Sequence, residues 1–222
     1  MMPNSMVLST AQLKQEGSNT YAIPASRAVL LKDIVCGDEM LPIEMFMRPE
    51  AGIGKVKTST FFPADHLPTA GFTFVTNYES RKGEHIQANP YVSLYFIWHE
   101  LERAVRIEGT IEKVPEALSD HYHHSRPRSS RIAACSSQQS RPIESYDEFT
   151  RRYERLVAQF DSQRETNPAV GDRDVPRPPN WGGYLVRPLR MEFWQGRPSR
   201  THERLDYQLN ADGTWQTQYL QP

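Results

Sequence analysis

Residues 191–204, M-E-F-W-Q-G-R-P-S-R-T-H-E-R, bring together side chains that bind anions and planar rings. If 200–209 is a strand, its alternation puts Arg200, His202 and Arg204 on one face. Arginine forks suit phosphate or carboxylate, and an anion would offset the repulsion between these cationic groups. Ordinary surface charges on a solvated strand are the alternative, and this stretch alone slightly favours them.

Three further polar clusters are predicted at the ends of strands or just after them. They supply arginines, lysines, hydroxyls and amides, and consist of Arg27 with Lys32, of Ser80, Arg81 and Lys82, and of Arg126 and Ser130 with Gln139 and Ser140. We find no carboxylate pair for glycoside chemistry, no G-x-S-x-G and no Cys/His nucleophile. The four clusters together favour a site for phosphorylated, planar molecules, flanked by Trp and Tyr. Redox chemistry there would need an organic cofactor.

Other ligand classes are disfavoured by composition. His121, His123 and His124 match no usual zinc spacing, so we predict a polar helix face and no metal. The net charge of −1 gives no general attraction for nucleic acid or anionic membrane. No apolar run is long enough to span a membrane. Cys36 and Cys135 form no disulfide framework, so we expect a reducing, cytoplasmic setting.

The elements that position these clusters are predicted to be mainly strands. Apolar runs indicate strands at 21–32, 71–77, 91–99 and 103–114, then after Trp181 and around a turn at Gly213. The run 91–99 is expected to be buried on both faces, and Gly109 is expected at a bulge or bend. Residues 33–70, rich in Pro and Gly, are predicted to form a long loop with one short element at 43–47.

Two segments have helical patterns. Residues 115–125 are one; Tyr122, Arg126 and Ser130 recur at intervals of four, so a continuing helix would present them together. The other follows a capping box, Ser145-x-x-Glu148, with a core stripe of Phe149, Tyr153, Leu156 and Phe160. About seven mainly antiparallel strands with two or three helices favour a β-barrel or sandwich. The absence of G-x-G-x-x-G argues against a Rossmann site.

Several longer motifs, in order along the chain, resemble the pyridoxine (pyridoxamine) 5′-phosphate oxidase family. They are S-R-A-V-L-L-K at 26–32, G-F-T-F-V-T-N-Y-E-S-R-K at 71–82, N-P-Y-V-S-L-Y-F-I-W at 89–98, V-R-I-E-G at 105–109, Y-H-H-S-R-P-R-S-S at 122–130, W-G-G-Y at 181–184 and E-F-W-Q-G-R-P-S-R-T-H-E-R at 192–204. The resemblance implies a mainly β (α+β) fold, the FMN-binding split β-barrel with a few peripheral helices. It implies one domain over 1–222, with an atypical loop at 33–70 and a dimerisation and substrate segment at 181–222.

The function implied by the resemblance is vitamin B6 salvage by a homodimer with FMN between its subunits. Pyridoxine and pyridoxamine 5′-phosphate would be oxidised by O2 to pyridoxal 5′-phosphate, releasing H2O2. FMN would contact Arg27, Ala28, Val29, Leu30, Leu31, Lys32, Val75, Thr76, Arg81, Lys82, Gln139, Ser140, Trp194 and Arg204. The substrate would contact Lys32, Tyr122, Arg126, Ser130, Arg200 and His202, and the last two would be the catalytic residues that orient its ring.

Some positions depart from the family pattern. Ala104 and Arg131 stand where the family usually has Gln. In the family, the Gln at the position of Ala104 contacts FMN. Loss of that contact would weaken flavin binding by about 0.5–1.5 kcal/mol. A catalytically weak protein that binds flavin or B6 phosphates is therefore the alternative. A split-barrel flavoprotein with another substrate is disfavoured by the intact Tyr122/Arg126/Ser130 and Arg200/His202 sets.

Overall fold

The structure, a computed structural model, describes residues 2–42, 55–62 and 70–222. The described residues form two compact units. One consists of the described parts of Met1–Phe74, His85–Glu112 and Tyr184–Pro222; the other consists of Val75–Glu84 and Lys113–Gly183. One domain over 1–222 stays a prediction.

Strands dominate the described residues, as predicted, although there are ten of them and not seven. In chain order, β1 to β10 are Ser5–Glu16, Asn19–Cys36, Glu39–Pro42, Val56–Lys57, Ala70–Asn77, Tyr91–Trp98, Arg103–Lys113, Trp181–Gln195, Glu203–Leu209 and Trp215–Leu220. Their order in the sheet is β10-β9-β8-β7-β6-β1-β2-β3-β4, and β5 pairs with β2 and β8. The α-helices, α1 to α4, are Arg81–Ala88, Glu116–His124, Arg128–Ser136 and Tyr146–Thr166.

The second strand is longer than the sequence indicates. Arg27, Val29 and Leu31 share its more buried face, as alternation predicts. The strand continues to Cys36 and is followed by β3 and β4, so the loop prediction for 33–70 is wrong in the described parts of that range. Long-range pairing extends the strand, since residues 34–36 of β2 pair with Phe72, Gly71 and Ala70 of β5. The element predicted at 43–47 lies outside the described residues.

The sixth strand is buried on one face only. Val92, Leu94 and Phe96 are buried, whereas Tyr91 and Tyr95 are exposed. The prediction of burial on both faces is therefore wrong. Tyrosines can extend an apolar run while pointing outward, because their hydroxyls remain hydrated.

The seventh strand has Ile107 and Ile111 buried. Gly109 pairs with Val92 without a break in register, so the predicted bulge is absent at this described position. A Cβ at Gly109 would lie 2.1 Å from the Arg187 carbonyl oxygen. Close backbone approach therefore explains this glycine.

The fourth helix starts at the predicted capping box. The Ser145 hydroxyl accepts a hydrogen bond from the Glu148 backbone N–H at 3.2 Å. Phe160 packs with Ile132 and Val175 in a buried cluster, which Tyr153 and Leu156 contact. Of the predicted stripe, Phe160 is therefore buried, while Phe149, Tyr153 and Leu156 are half-buried.

Replacing the cap should destabilise the protein. We expect Ser145→Ala to lower the free energy of unfolding by about 1 kcal/mol, because the Glu148 N–H loses its acceptor. Urea denaturation followed by circular dichroism measures this. Ser162→Ala, at an exposed position of the same helix, is the control and should change stability by less than about 0.5 kcal/mol. Equal losses in both variants would contradict the capping role.

Candidate functional site

The strand predicted at 200–209 begins only at Glu203. Before it, Pro198–Arg200 form a 3-10 turn in which Ser199 and Arg200 have φ of 57° and 61°. Left-handed non-glycine residues are uncommon and strained by roughly 1–3 kcal/mol each. The prediction that Arg200 and His202 alternate with Arg204 along one strand face is therefore wrong. Pro198 has no N–H for a strand ladder and favours the turn.

His202 nevertheless lies beside Trp194, with 4.6 Å between their ring centroids. The backbone N–H of Arg197 donates to His202 Nδ1 at 3.2 Å. An accepting Nδ1 carries no proton, so the proton of the neutral ring is on Nε2. His202 thus presents Nε2–H as its donor, next to an indole ring.

Trp194 and Arg204 lie opposite each other in the β8–β9 pair, and Glu192 precedes Trp194 on the same face of β8. Together with Ala104 and Arg106 on β7 they line a cleft of about 330 Å³. Its remaining lining residues are Tyr95, Ile97 and Pro222. The small side chain of Ala104 leaves space between the aromatic and charged walls.

Glu192 is the buried charge of this cleft. Arg204 donates from Nε to Oε1 at 2.8 Å and from Nη2 to Oε2 at 3.0 Å, and Arg106 Nη2 also donates to Oε2. The hydrogen bonds from Arg204 hold the pKa of Glu192 below its usual value, against the opposing effect of burial. The sequence prediction missed Glu192 and Arg106. The sequence signal that could have found them is spacing: Glu192 lies two residues from Trp194, and Arg106 lies two residues from Ala104. Residues two apart on a strand share a face.

The second strand carries six of the residues predicted to contact FMN, Arg27 to Lys32. Arg27 Nη1 donates to the Leu8 and Ala25 carbonyl oxygens and to the Thr10 hydroxyl, at 3.2, 2.9 and 2.7 Å. Ala28 and Leu30 are exposed, whereas Leu31 is buried. The guanidinium of Arg27 is thus anchored in the β1–β2 hairpin.

In the second unit, three predicted flavin contacts form one hydrogen-bonded cluster. Lys82 Nζ and the Thr76 hydroxyl both donate to Gln139 Oε1, at 2.6 and 3.2 Å. Next to them in sequence, Val75 is half-buried, Arg81 is exposed, and Ser140 is exposed with a left-handed φ of 71°. The cluster gathers an ammonium, a hydroxyl and an amide, which are donors suited to an anionic group.

The residues predicted for the substrate phosphate do not share one helix. Tyr122 lies in α2, which ends at His124, and Ser130 lies in the first turn of α3, which starts after Pro127. Arg126 lies between them. The prediction of a single helix is wrong because a proline disfavours helical backbone at the preceding residue and lacks the N–H of a helical hydrogen bond.

Arg126 has an unusual environment. Its guanidinium carbon lies 4.9 Å from the centre of the Trp181 ring. Its Nη1 atom is buried and has no hydrogen-bond partner among the described residues. Burial lowers the pKa of this guanidinium, since it disfavours the charged form. An anion at Nη1 would supply the missing partner and offset the buried charge.

Close packing fixes the W-G-G-Y segment beside this site. A Cβ at Gly182 would lie 2.1 Å from the Tyr78 hydroxyl oxygen, and one at Gly183 would lie 3.3 Å from the Tyr122 ring. The glycines therefore let β8 approach Tyr78 and Tyr122 closely.

The described residues contain no group of three or more His, Cys, Asp or Glu side chains that could hold a metal ion. None of their helices combines the length and the apolar character that crossing a membrane requires.

Comparison with known proteins decides the family. Residues 54–160 match the family model "Pyridoxamine 5′-phosphate oxidase", and residues 181–222 match "Pyridoxine 5′-phosphate oxidase C-terminal dimerisation region". Over 181 residues the chain is 46% identical to pyridoxine/pyridoxamine 5′-phosphate oxidase of Bacteroides fragilis, covering 82% of this chain and 72% of that protein. The chain belongs to the pyridoxine/pyridoxamine 5′-phosphate oxidase family. The resemblance predicted from the motifs is confirmed.

Solved structures show the same fold. PhzG from Burkholderia lata, in complex with tetrahydrophenazine-1-carboxylic acid, aligns with a TM-score of 0.70 at 22% identity, over 99% of this chain and 83% of that one. An FMN-binding, pyridoxamine 5′-phosphate oxidase-related protein from Nostoc punctiforme aligns with a TM-score of 0.62 at 15% identity, over 99% and 89%. The predicted mainly β, split-barrel fold is confirmed.

A buried histidine beside Arg126 should make stability depend on pH. His123 is fully buried, edge-on to Trp181 at 5.3 Å, and its pKa is lowered from 6.5 to about 4, first by burial and then by nearby positive charges. Between these values the unfolded chain binds more protons, so stability falls as the pH falls.

We expect wild-type protein to lose roughly 2 kcal/mol more than His123→Leu between about pH 7.5 and pH 5, measured by urea denaturation. His121→Gln, at an exposed position of the same helix, is the control and should keep the wild-type dependence. Identical pH dependence in wild type and His123→Leu would contradict the assignment.

Proposed function

We propose that the protein oxidises pyridoxine 5′-phosphate and pyridoxamine 5′-phosphate to pyridoxal 5′-phosphate, with FMN as cofactor and O2 as oxidant, releasing H2O2. From the amine substrate, hydrolysis by water also releases ammonia. Family membership supports the reaction class. The observation that carries the proposal is the buried Nη1 of Arg126, which lacks a partner among the described residues. A phosphate monoester supplies the dianion that such a guanidinium binds well.

Trp181 and Arg126 would act together on the substrate phosphate. The indole face under the guanidinium keeps it in place without using its hydrogen-bond donors. The donors therefore stay directed to the anion. Tyr122 and Ser130 would contribute hydroxyls from the two helices on either side of Arg126.

The chain also offers residues that fit FMN. In one unit, Lys82 and Thr76 are donors gathered at Gln139, and they suit an anionic group. In the other unit, Trp194 and Arg204 line a cleft with an aromatic wall and a guanidinium, which suits a planar ring whose oxygen and nitrogen atoms accept hydrogen bonds. When bound, FMN supplies the acceptor for the hydride equivalent from the C4′ carbon of the substrate, and O2 reoxidises it.

Arg200 and His202 would orient the substrate ring. His202 holds its proton on Nε2, because Nδ1 accepts from Arg197, and it would donate that hydrogen bond to the substrate. Arg200 is exposed at the tip of a strained turn, so its guanidinium can reach a bound molecule. Both roles are positioning roles, which raise the rate by fixing the reacting carbon in place.

We also propose that the protein acts as a homodimer, since residues 181–222 match the dimerisation region of the family. A catalytically weak flavin or B6-phosphate binder is the second candidate. It is favoured by the small, buried Ala104 in the cleft beside Trp194.

One experiment separates the two candidates. The protein is reconstituted with FMN, each B6 phosphate is added, and pyridoxal 5′-phosphate and peroxide are followed over time. The oxidase should produce both in equal amounts. Bound flavin without turnover would exclude the oxidase and favour the weak binder, whereas failure to bind flavin would contradict both.

Two arginines should affect the substrate more than the cofactor. We expect Arg126→Ala and Arg200→Ala each to lower kcat/KM about 10- to 150-fold, because a charged hydrogen bond is lost. This corresponds to a loss of roughly 1.5–3 kcal/mol of transition-state stabilisation, while FMN remains bound. Steady-state kinetics and the flavin absorbance of the purified variants measure the two effects. Arg155→Ala, on an exposed face of α4, is the control and should match wild type. Loss of flavin from either active-site variant would show that its assignment is wrong.

A further inference from the structure

The cleft beside Trp194 contains an ionic cluster that the reaction itself does not explain. Two arginines from neighbouring strands, Arg106 on β7 and Arg204 on β9, share the carboxylate of Glu192 on β8. Glu192 is buried, whereas the arginine side chains are partly exposed at 41% and 27%. The carboxylate lies beneath and the guanidinium groups face the cleft.

We propose that Glu192 and Arg106 are positioning residues that hold Arg204 in the orientation in which it contacts the ligand of this cleft. This inference rests on the proposed function, in which that ligand is FMN. Glu192 holds Arg204 through two hydrogen bonds, to both carboxylate oxygens, and this geometry fixes the plane of the guanidinium. Arg106 binds Oε2 from the other side and so fixes the carboxylate in turn.

A third contact completes the orientation of Arg204. Its Nη1 donates to the backbone carbonyl oxygen of Gln221 at 3.0 Å. The guanidinium has five N–H groups, and these three bonds use three of them. Two N–H groups remain for a ligand. Because Nε, Nη1 and Nη2 are all held, the direction of the remaining donors is fixed before any ligand binds.

The cluster balances two positive charges with two carboxylates. Besides Glu192, Arg106 also pairs with Glu108, whose Oε1 atom lies 3.5 Å from Arg106 Nε. Without Glu192 the two arginines would lose the partner that they share and would repel each other. Glu192 therefore holds both guanidinium groups at the cleft and fixes the direction of Arg204.

A second ion pair on the same strands provides a comparison. Arg190 Nε binds Asp206 Oδ1 at 2.8 Å, and Asp206 is completely buried opposite Glu192 in the β8–β9 register. Neither residue lines the cleft. Asp206 is thus a buried carboxylate on the same sheet face as Glu192, paired with arginine, that does not line the cleft.

The test is a double-mutant cycle on FMN affinity. FMN dissociation constants are measured by quenching of flavin fluorescence for wild type, Glu192→Gln, Arg204→Ala and the double variant. Asp206→Asn is the matched control. Thermal unfolding of each apo-protein, without flavin, reports stability separately. Arg106→Met removes the second arginine and gives an independent variant if Glu192→Gln does not fold.

We expect Glu192→Gln to weaken FMN binding about tenfold or more, and to change it less than about twofold when Arg204 is already alanine. Arg106→Met should weaken binding in the same direction by a smaller factor. Asp206→Asn should lower the unfolding temperature while leaving FMN affinity within about twofold of wild type.

Two outcomes overturn the inference. If Glu192→Gln weakens FMN binding equally with and without Arg204, or only lowers the unfolding temperature as Asp206→Asn does, Glu192 is a structural residue. If wild-type protein binds FMN but Glu192→Gln gives either of these results, the inference fails and the proposed function stays intact. Wild-type protein that binds no FMN would overturn the proposed function and the inference together.

Discussion

The register in which β8 pairs with β9 determines the cleft beside Trp194. Trp194 lies opposite Arg204 and Glu192 opposite Asp206, so one face of this pair carries an aromatic ring, two carboxylates and an arginine. Side chains alternate with a period of two, so a slip of one residue would turn Glu192 and Trp194 to the opposite face. Two buried carboxylates would then lose their arginine partners. The ion pairs therefore do more to specify this register than to supply net stability, since desolvation offsets much of their attraction.

Arg204 and Arg126 differ in how their positive charges are compensated. Arg204 is paired with a carboxylate of the chain itself, and that bond raises its pKa. Arg126 stacks on an indole ring, has a buried Nη1 that no described residue pairs, and has its pKa lowered by burial. A buried donor left without a partner is unfavourable by about 1–3 kcal/mol, and more when it is charged. Under the proposed function, Arg204 would be held rigid before its ligand binds, whereas Arg126 would gain a partner for its buried Nη1 when an anion binds.

Much of the fold could be predicted from local pattern, and the errors have several causes. Alternating apolar residues located β5, β7 and the buried face of β2, and the capping box located the start of α4. The strands β3 and β4 escaped prediction because they are short: β3 has four residues and follows β2 through a two-residue turn, and β4 has only two residues. Neither is long enough to show a clear alternation of apolar residues. For the candidate site, the residue types in the sequence indicated which side chains could bind a ligand, but they did not predict how those side chains are arranged in space. Pro127 divides the helix expected to present Arg126, and Glu192 becomes significant only when strand pairing brings Arg106 and Arg204 to it.

Backbone strain gives a further, independent indication of where ligands bind. Four described non-glycine residues have a left-handed φ, namely Glu102, Ser140, Ser199 and Arg200. Ser140 and Arg200 are predicted ligand contacts, and Ser199 adjoins Arg200. Strain of this kind persists only where surrounding bonds enforce it, and it concentrates at functional sites. Around Arg200 those bonds are visible, since the Thr201 hydroxyl donates to the Pro198 carbonyl oxygen at 2.9 Å and the Arg197 N–H donates to His202 at 3.2 Å. The same bonds that hold the strained turn also set the tautomer of His202. The turn therefore links the position of Arg200 to the hydrogen bond that His202 can offer, which an alternating strand at 200–204 would not do.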